Sequence, residues 1–201
     1  MVDNFILVLE QFIPKNECDR LIEKFELSPE KMVDGGAGNR GIDYSRNKCT
    51  ESYYDFYDEK EKSCVQKYVP LAIEKYKEKY TFLEQIYPFD VSDTYKVKRY
   101  YPNEGFFDLH CESPTNKLPR VLAWMIYLND VTDGGYTEFP SQEKMYQPRA
   151  GNVLIWPAFF THPHKGIESK TQIKYIVTGW CDYSDQHMPT NTKTVTKMTY
   201  E

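Results

Sequence analysis

Residues 120–130 read RVLAWMIYLND, an aromatic and β-branched run closed by Asn and Asp. That composition predicts a strand ending in a turn. The same grammar recurs on both sides. TYKVKRYY begins at Thr94 and GFFDLHCE at Gly105; YTEFP, KMYQP, GNVLIWP and IKYIVTGWCDY follow, the last ending at Tyr183. Pro, Gly, Asn or Asp separates each run from the next. About seven short strands in roughly a hundred residues is the spacing of a sandwich or jelly roll.

Upstream the pattern changes. NFILVLEQFIP reads as a short strand, and it runs into PKNECDRLIEKFE, where Pro14 suits a first helical turn. Cys18, Leu21, Ile22 and Phe25 then recur at helical spacing. From Ser28 to about Ser52 the text is Gly- and Asn-rich with little periodicity, which predicts a long loop. Residues 58–80 carry a helical apolar pattern with acidic residues early and lysines late. Pro70 falls inside it, so the expectation is a kinked helix or two helices meeting there. The expected organisation is one domain: a supporting strand, helices and loop over 1–90, a β core over 91–183, and a polar tail over 184–201 that is either disordered or a final edge strand.

With 201 residues there is room for one sizeable core. A formal net charge of −5 argues against a nucleic-acid surface, which needs clustered Lys and Arg. The N-terminal apolar run is short and lacks a basic flank, so no signal peptide is expected, and no segment approaches the roughly 20 apolar residues of a membrane span. Five cysteines, odd in number and without a CxxC pair, point to a reducing cytoplasm.

Within FFDLHCES, residues 106–113, His110 and Glu112 are two apart. On a strand they share a face, with Cys111 on the other. Neither is a comfortable core filler, because a buried carboxylate or imidazole needs partners. A divalent metal would satisfy both, although for the pair alone an exposed face where both meet water is the default reading. Only two other histidines precede the tail, His162 and His164 in THPHKG, directly after an apolar strand. If one of them joins His110 and Glu112, the result is two His and one carboxylate with open positions, the ligand set of non-haem Fe(II) oxygenases and also of some zinc enzymes. Lys174 lies in IKYIVTGW, where both strand faces are largely apolar. A buried lysine calls for a nearby anion, whereas a lysine at the strand's entry can reach water.

From about Thr94 to Tyr183 the pieces RYYPNEGFFDLHCE, LAWMIYLNDVTDGGYTEFP, RAGNVLIWPAFFTHPHKG and IKYIVTGW together resemble the 2-oxoglutarate- and Fe(II)-dependent oxygenases, in their prolyl 4-hydroxylase-like branch. The resemblance implies an α+β, mainly β fold: a double-stranded β-helix (jelly-roll, cupin-like) core with N-terminal supporting helices. It implies that His110 and Glu112 stand where the family has an HxD pair of iron ligands, with Glu one methylene longer than Asp. The family's second His precedes a basic residue by about ten positions, which selects His164 as the third ligand and Lys174 as the partner of the far carboxylate of 2-oxoglutarate. His162 is left as a supporting residue. Tyr127 and Tyr101 match tyrosines of the cosubstrate pocket, with Thr137 and Thr178 as polar liners and Trp180 as a wall near the iron.

The implied reaction couples decarboxylation of 2-oxoglutarate to succinate and CO₂ with hydroxylation of a C–H bond by O₂, with ascorbate as a supporting reductant. The implied substrate is a prolyl residue in a peptide or protein, and a small molecule is also compatible. The Gly-rich stretch 33–48, with Arg40 and Arg46, is a candidate cover for it. Three rivals stand beside this reading. One is a jelly-roll binding module that has lost turnover; another is a zinc hydrolase using the same ligands. The third, a nucleic-acid demethylase, is disfavoured by the net charge.

Overall fold

The computed structural model describes residues 3–36, 41–57, 63–86, 88–113 and 120–184. Arg40, His187 and the tail lie outside the described residues. Two antiparallel sheets and two helices account for the fold.

Strand β1 (Leu7–Leu9) leads to helix α1 (Lys15–Glu26), which Pro14 precedes as expected and which buries Cys18, Leu21 and Phe25 along one stripe. The stretch expected as loop holds more order than its composition predicts. It contains β2 (Val33–Asp34), and β3 (Thr50–Asp55) starts inside its far end. The missed signal is alternation in TESYYD, weakened by the charged Glu51 at an inward position.

Helix α2 (Cys64–Lys79) is a single helix with Pro70 inside it. Ser63 and Gln66 form a reciprocal capping box at its start, and Lys77 and Lys79 sit in its last turn, where the helix dipole favours cations.

The strands that follow are β4 (Phe89–Val91), β5 (Thr94–Tyr100), β6 (Arg120–Tyr127), β7 (Thr137–Phe139), β8 (Lys144–Tyr146), β9 (Val153–Pro157), β10 (Lys165–Gly166) and β11 (Lys174–Tyr183). The larger sheet has the order β1-β9-β6-β11-β5-β3-β2, with β4 also pairing β11. The smaller sheet has the order β10-β7-β8. Of the strands expected from sequence, only GFFDLHCE fails to form one; β4 and β10 were not anticipated.

The larger sheet is buried on both faces. One face, with Val97, Trp124, Ile126 and Val177, packs against α1 and α2 through Phe25, Val69 and Tyr76. The other face, with Tyr100, Tyr127, Ile176 and Trp180, closes with Phe139 of the smaller sheet into a barrel interior. Side-chain alternation therefore decides which residues of β5, β6 and β11 can reach a site inside the barrel. The register is held by a fitted contact: a Cβ on Gly179 would lie 2.2 Å from Trp124 Cζ2, so only glycine lets that indole lie across β11.

Candidate active site

The segment carrying His110 and Glu112 is not a regular strand. Its backbone is satisfied piecemeal by three other stretches of chain. Phe107 and Asp108 donate to the Arg46 carbonyl at 2.7 and 3.2 Å, and Glu112 and Ser113 both donate to the Ala158 carbonyl at 3.0 Å. Between these contacts an isolated bridge pairs His110 with His164. The sharing of one side by His110 and Glu112 survives the loss of the strand, because these bonds fix the segment as firmly as a ladder would.

Ligand atoms of His110, Glu112 and His164 all lie within 4.8 Å of one another. His110 Nδ1 is 2.9 Å from the Asp108 carbonyl and His164 Nδ1 is 3.1 Å from the His162 carbonyl. A carbonyl only accepts, so each Nδ1 carries a proton, which leaves each Nε2 as the atom able to ligate. Those two Nε2 atoms stand 3.4 and 3.5 Å from Glu112 Oε1. Three acceptors converging in this way suit a divalent cation, since ligands about 2.1 Å from an ion at right angles are about 3 Å apart. The phenyl ring of Phe106 stacks on His110 at 3.9 Å between centroids, and Trp156 and Phe139 pack around His164.

The second oxygen of Glu112 is already engaged. Trp180 Nε1 donates to Oε2 at 2.8 Å, and Arg120 Nη1 reaches Oε2 at 3.3 Å and the Glu112 carbonyl at 3.0 Å. The Arg120 guanidinium in turn lies over the Trp180 ring at 3.6 Å. Oε1 is thereby turned toward the histidines as a single ligand atom, and the extra methylene of Glu is taken up by the Trp180–Arg120 seat. Burial pushes the Glu112 carboxyl up, but positive charge and hydrogen-bond donation on the His110 and His164 side outweigh it and hold it well below the usual carboxylate range, the sense in which a bound cation would also act.

Lys174 begins β11 on the face that continues through Ile176, Thr178 and Trp180 into the barrel. It is 4% exposed, so it does not reach out to water. Its ammonium donates to the Gly135 carbonyl at 2.9 Å and lies 4.9 Å from the Tyr100 ring centre. Among the described residues it has no carboxylate partner, and burial pushes its pKa down to about 8.

Tyr127 is fully buried on the same interior, with its hydroxyl bonded to Thr137 Oγ1 at 2.6 Å. Thr178 is buried there too, and its hydroxyl donates to the Trp124 carbonyl at 3.3 Å. Tyr101 does not join them. β5 ends at Tyr100, and Tyr101 turns outward, 43% exposed, with its ring under the Arg99 guanidinium. The residue beside Lys174 is Tyr100, directly opposite it in the β5–β11 register. Counting alternation forward from Val97, on the helix-facing side, identifies Tyr100 as the inward one.

His162 faces away from the cluster. Its ring bonds Thr161 Oγ1 and the Asn4 carbonyl, each at 2.9 Å, and it serves the site only through the backbone oxygen that orients His164. Cys111 is exposed and is not part of the cluster. Arg46 is spent on Asp108, to which it is ion-paired, so it braces the His110 segment from the 33–48 stretch. Sequence reasoning passed over Arg120, which stands one residue before an apolar run, and the inward-facing Lys98.

Comparison with known proteins finds likenesses at the level of family and fold. A family model for the 2OG-Fe(II) oxygenase superfamily matches residues 95–182. A protein of Acanthamoeba polyphaga mimivirus, described as "Putative prolyl 4-hydroxylase", is 28% identical over 111 residues. That match covers 46% of each sequence, so the likeness spans about half the length of that relative. Among solved structures, the viral collagen prolyl hydroxylase of Paramecium Bursaria Chlorella virus-1 in its 2OG complex superposes with a TM-score of 0.67 at 16% identity, covering 90% of this chain and 97% of that one. The Trichoplax adhaerens prolyl hydroxylase, solved with a hypoxia inducible factor peptide fragment, gives 0.72 at 15% identity over 90% and 84%. At those identities the structural likeness speaks for the fold, a double-stranded β-helix. Residues 95–182, with their HxE and distal His brought together inside that barrel, are similar to the 2OG-Fe(II) oxygenase superfamily, in its prolyl 4-hydroxylase-like form.

Proposed function

We propose that this protein is a dioxygenase that hydroxylates a prolyl residue in a peptide or protein, using Fe(II), 2-oxoglutarate and O₂ and releasing succinate and CO₂. In this reading His110, Glu112 and His164 hold the iron, and Lys174 takes the far carboxylate of 2-oxoglutarate. Tyr127 and Thr178 line the pocket between, and Tyr100 replaces Tyr101 there. The bound metal and cosubstrate supply the oxidising chemistry. The chain's residues supply ligand orientation, a cation for the cosubstrate and a largely apolar enclosure.

The observation that carries this reading is the pairing, within one barrel interior, of a ready three-ligand cluster with a buried lysine lacking a carboxylate partner. A hydrolytic zinc site would use the cluster and leave Lys174 without a role. The non-catalytic reading rested on Glu in place of Asp, and the seat formed by Trp180 and Arg120 answers that objection. The prolyl substrate is supported by the named relatives, and the five free cysteines suit a reducing compartment. Among the described residues no helix is long and apolar enough to cross a membrane.

The test is succinate formation from 2-oxoglutarate with Fe(II), ascorbate and O₂, with and without proline-containing peptides, against His110→Ala. Peptide-stimulated turnover with a mass gain of one oxygen on proline is expected. Binding of iron and 2-oxoglutarate with no oxidation of any proline peptide would remove the prolyl assignment.

A further inference from the structure

Lys98 is a second buried ammonium in the barrel, and neither the family match nor the ligand cluster gives it a role. On β5, Lys96, Lys98 and Tyr100 alternate onto the interior face while Tyr95 and Val97 face the helices. Lys98 is 6% exposed. Its nearest anion is Glu51 on β3, with Nζ 3.2 Å from Oε2, yet that oxygen accepts no hydrogen bond. Among the described residues the Lys98 ammonium makes no hydrogen bond at all. Glu51 does not depend on it, because Oε1 is served by Lys96 Nζ at 3.0 Å and by the Tyr53 hydroxyl at 2.8 Å.

The placement is specific. Tyr100 stands opposite Lys174 in register, and Lys98, two residues back, stands opposite Ile176. Further along the same face of β11 comes Trp180, which holds Glu112. Lys98 therefore lies between the level of Lys174 and the level of the ligand cluster. The Phe106 ring connects it to that cluster: Lys98 Nζ is 5.6 Å from the ring centre, and the ring stacks on His110. This wall carries three lysines, Lys96, Lys98 and Lys174, against Glu51, with Glu112 further off at the ligand cluster, so lysines outnumber the carboxylates that face them.

We propose that Lys98 is a second carboxylate-binding residue of the pocket, taking the keto-acid end of 2-oxoglutarate while Lys174 takes the far end. The proposal rests on the functional reading above. It makes the barrel interior a two-point receptor for a dicarboxylate, with Glu51 as a resting counter-ion that Lys96 and Tyr53 retain when Lys98 turns to the ligand.

The test is binding of 2-oxoglutarate to the full chain loaded with Mn(II), without O₂, by titration calorimetry. Lys98→Met is expected to weaken binding by about tenfold or more, the scale of one charged hydrogen bond, while Mn(II) affinity and the thermal melt match the parent. Lys98→Arg should stay within a few-fold of the parent. Lys98→Met combined with Lys174→Met should bind more weakly than either alone, because the two lysines hold different ends. Parent-like binding by Lys98→Met overturns the proposal, and so does a double variant that binds as well as Lys174→Met. A parent that takes up Mn(II) but no 2-oxoglutarate refutes the functional reading instead.

Discussion

The backbones of His110 and His164 hydrogen-bond to each other in both directions, at 3.0 and 2.9 Å, and their rings stand 4.4 Å apart between centroids. Two residues more than fifty positions apart in sequence are thereby fixed as direct neighbours by main chain alone. The site is preorganised by main chain, and side-chain substitution leaves that frame in place.

Removing a ligand should accordingly empty the site without unfolding the protein. His110→Ala and Glu112→Ala are each expected to weaken Co(II) binding, followed by its visible spectrum, by about a hundredfold or more, with turnover lost and the thermal melt within a few degrees of the parent. Retained metal affinity in both variants would remove these residues from the centre.

Glu112→Asp restores the acid usual in the family, yet it should impair this chain. The shorter arm cannot meet both the histidine side and the Trp180–Arg120 seat. An affinity loss for Fe(II) of about tenfold is expected, with Trp180→Phe changing it in the same direction. An Asp variant that binds iron more tightly than the parent would show that the seat has no such role.

Lys174 sets a pH dependence. The unfolded chain keeps this proton to about 10.4, while the folded protein releases it near 8, so between those values the unfolded state binds more protons and stability rises with pH. Below about 8 both states are protonated and the folded one bears the full cost of a buried cation. Relative to Lys174→Met, the parent should gain about 3 kcal/mol across that window, read from urea unfolding at stepped pH. Affinity for 2-oxoglutarate should run the other way, falling as pH climbs past 8, because the ligand needs the charged lysine. A stability difference that stays level from pH 7 to 10 would contradict the burial argument.

Much of this was legible in the sequence, for identifiable reasons. β6, β9 and β11 announce themselves because a strand buried on both faces is a continuous apolar run. α1 announces itself through Pro14 and the spacing of Cys18, Leu21 and Phe25. What the sequence hides is structure made by long-range pairing. GFFDLHCE has a strand's composition, but its partners are single residues of three segments, so no ladder forms. Tyr101 was preferred to Tyr100 because motif spacing does not say where β5 ends. Arg120 and Lys98 read as ordinary surface cations until Trp180 and Glu51 are seen to meet them, contacts across 60 and 47 positions of sequence.

Gly179 offers a test of the fold apart from the site. A methyl there would collide with the Trp124 indole, which also donates from Nε1 to the Trp180 carbonyl at 3.2 Å. Gly179→Ala should cost about 3 kcal/mol, the upper range for overpacking, seen as a lower melting temperature with metal present or absent. An unchanged melt would mean the β6–β11 contact is looser than drawn.

β11 is the last described strand in chain order and lies in the middle of the larger sheet, between β6 and β5. Until its ten residues arrive, that sheet exists only as two half-sheets, β1-β9-β6 and β5-β3-β2, each with a long unpaired edge. The seam that joins them also delivers Lys174 and the Trp180 that seats Glu112. Completion of the sheet and maturation of the centre are thus a single late event in biogenesis. A chain shortened before Lys174 would be a self-associating species with open edges, rather than a soluble but inactive enzyme.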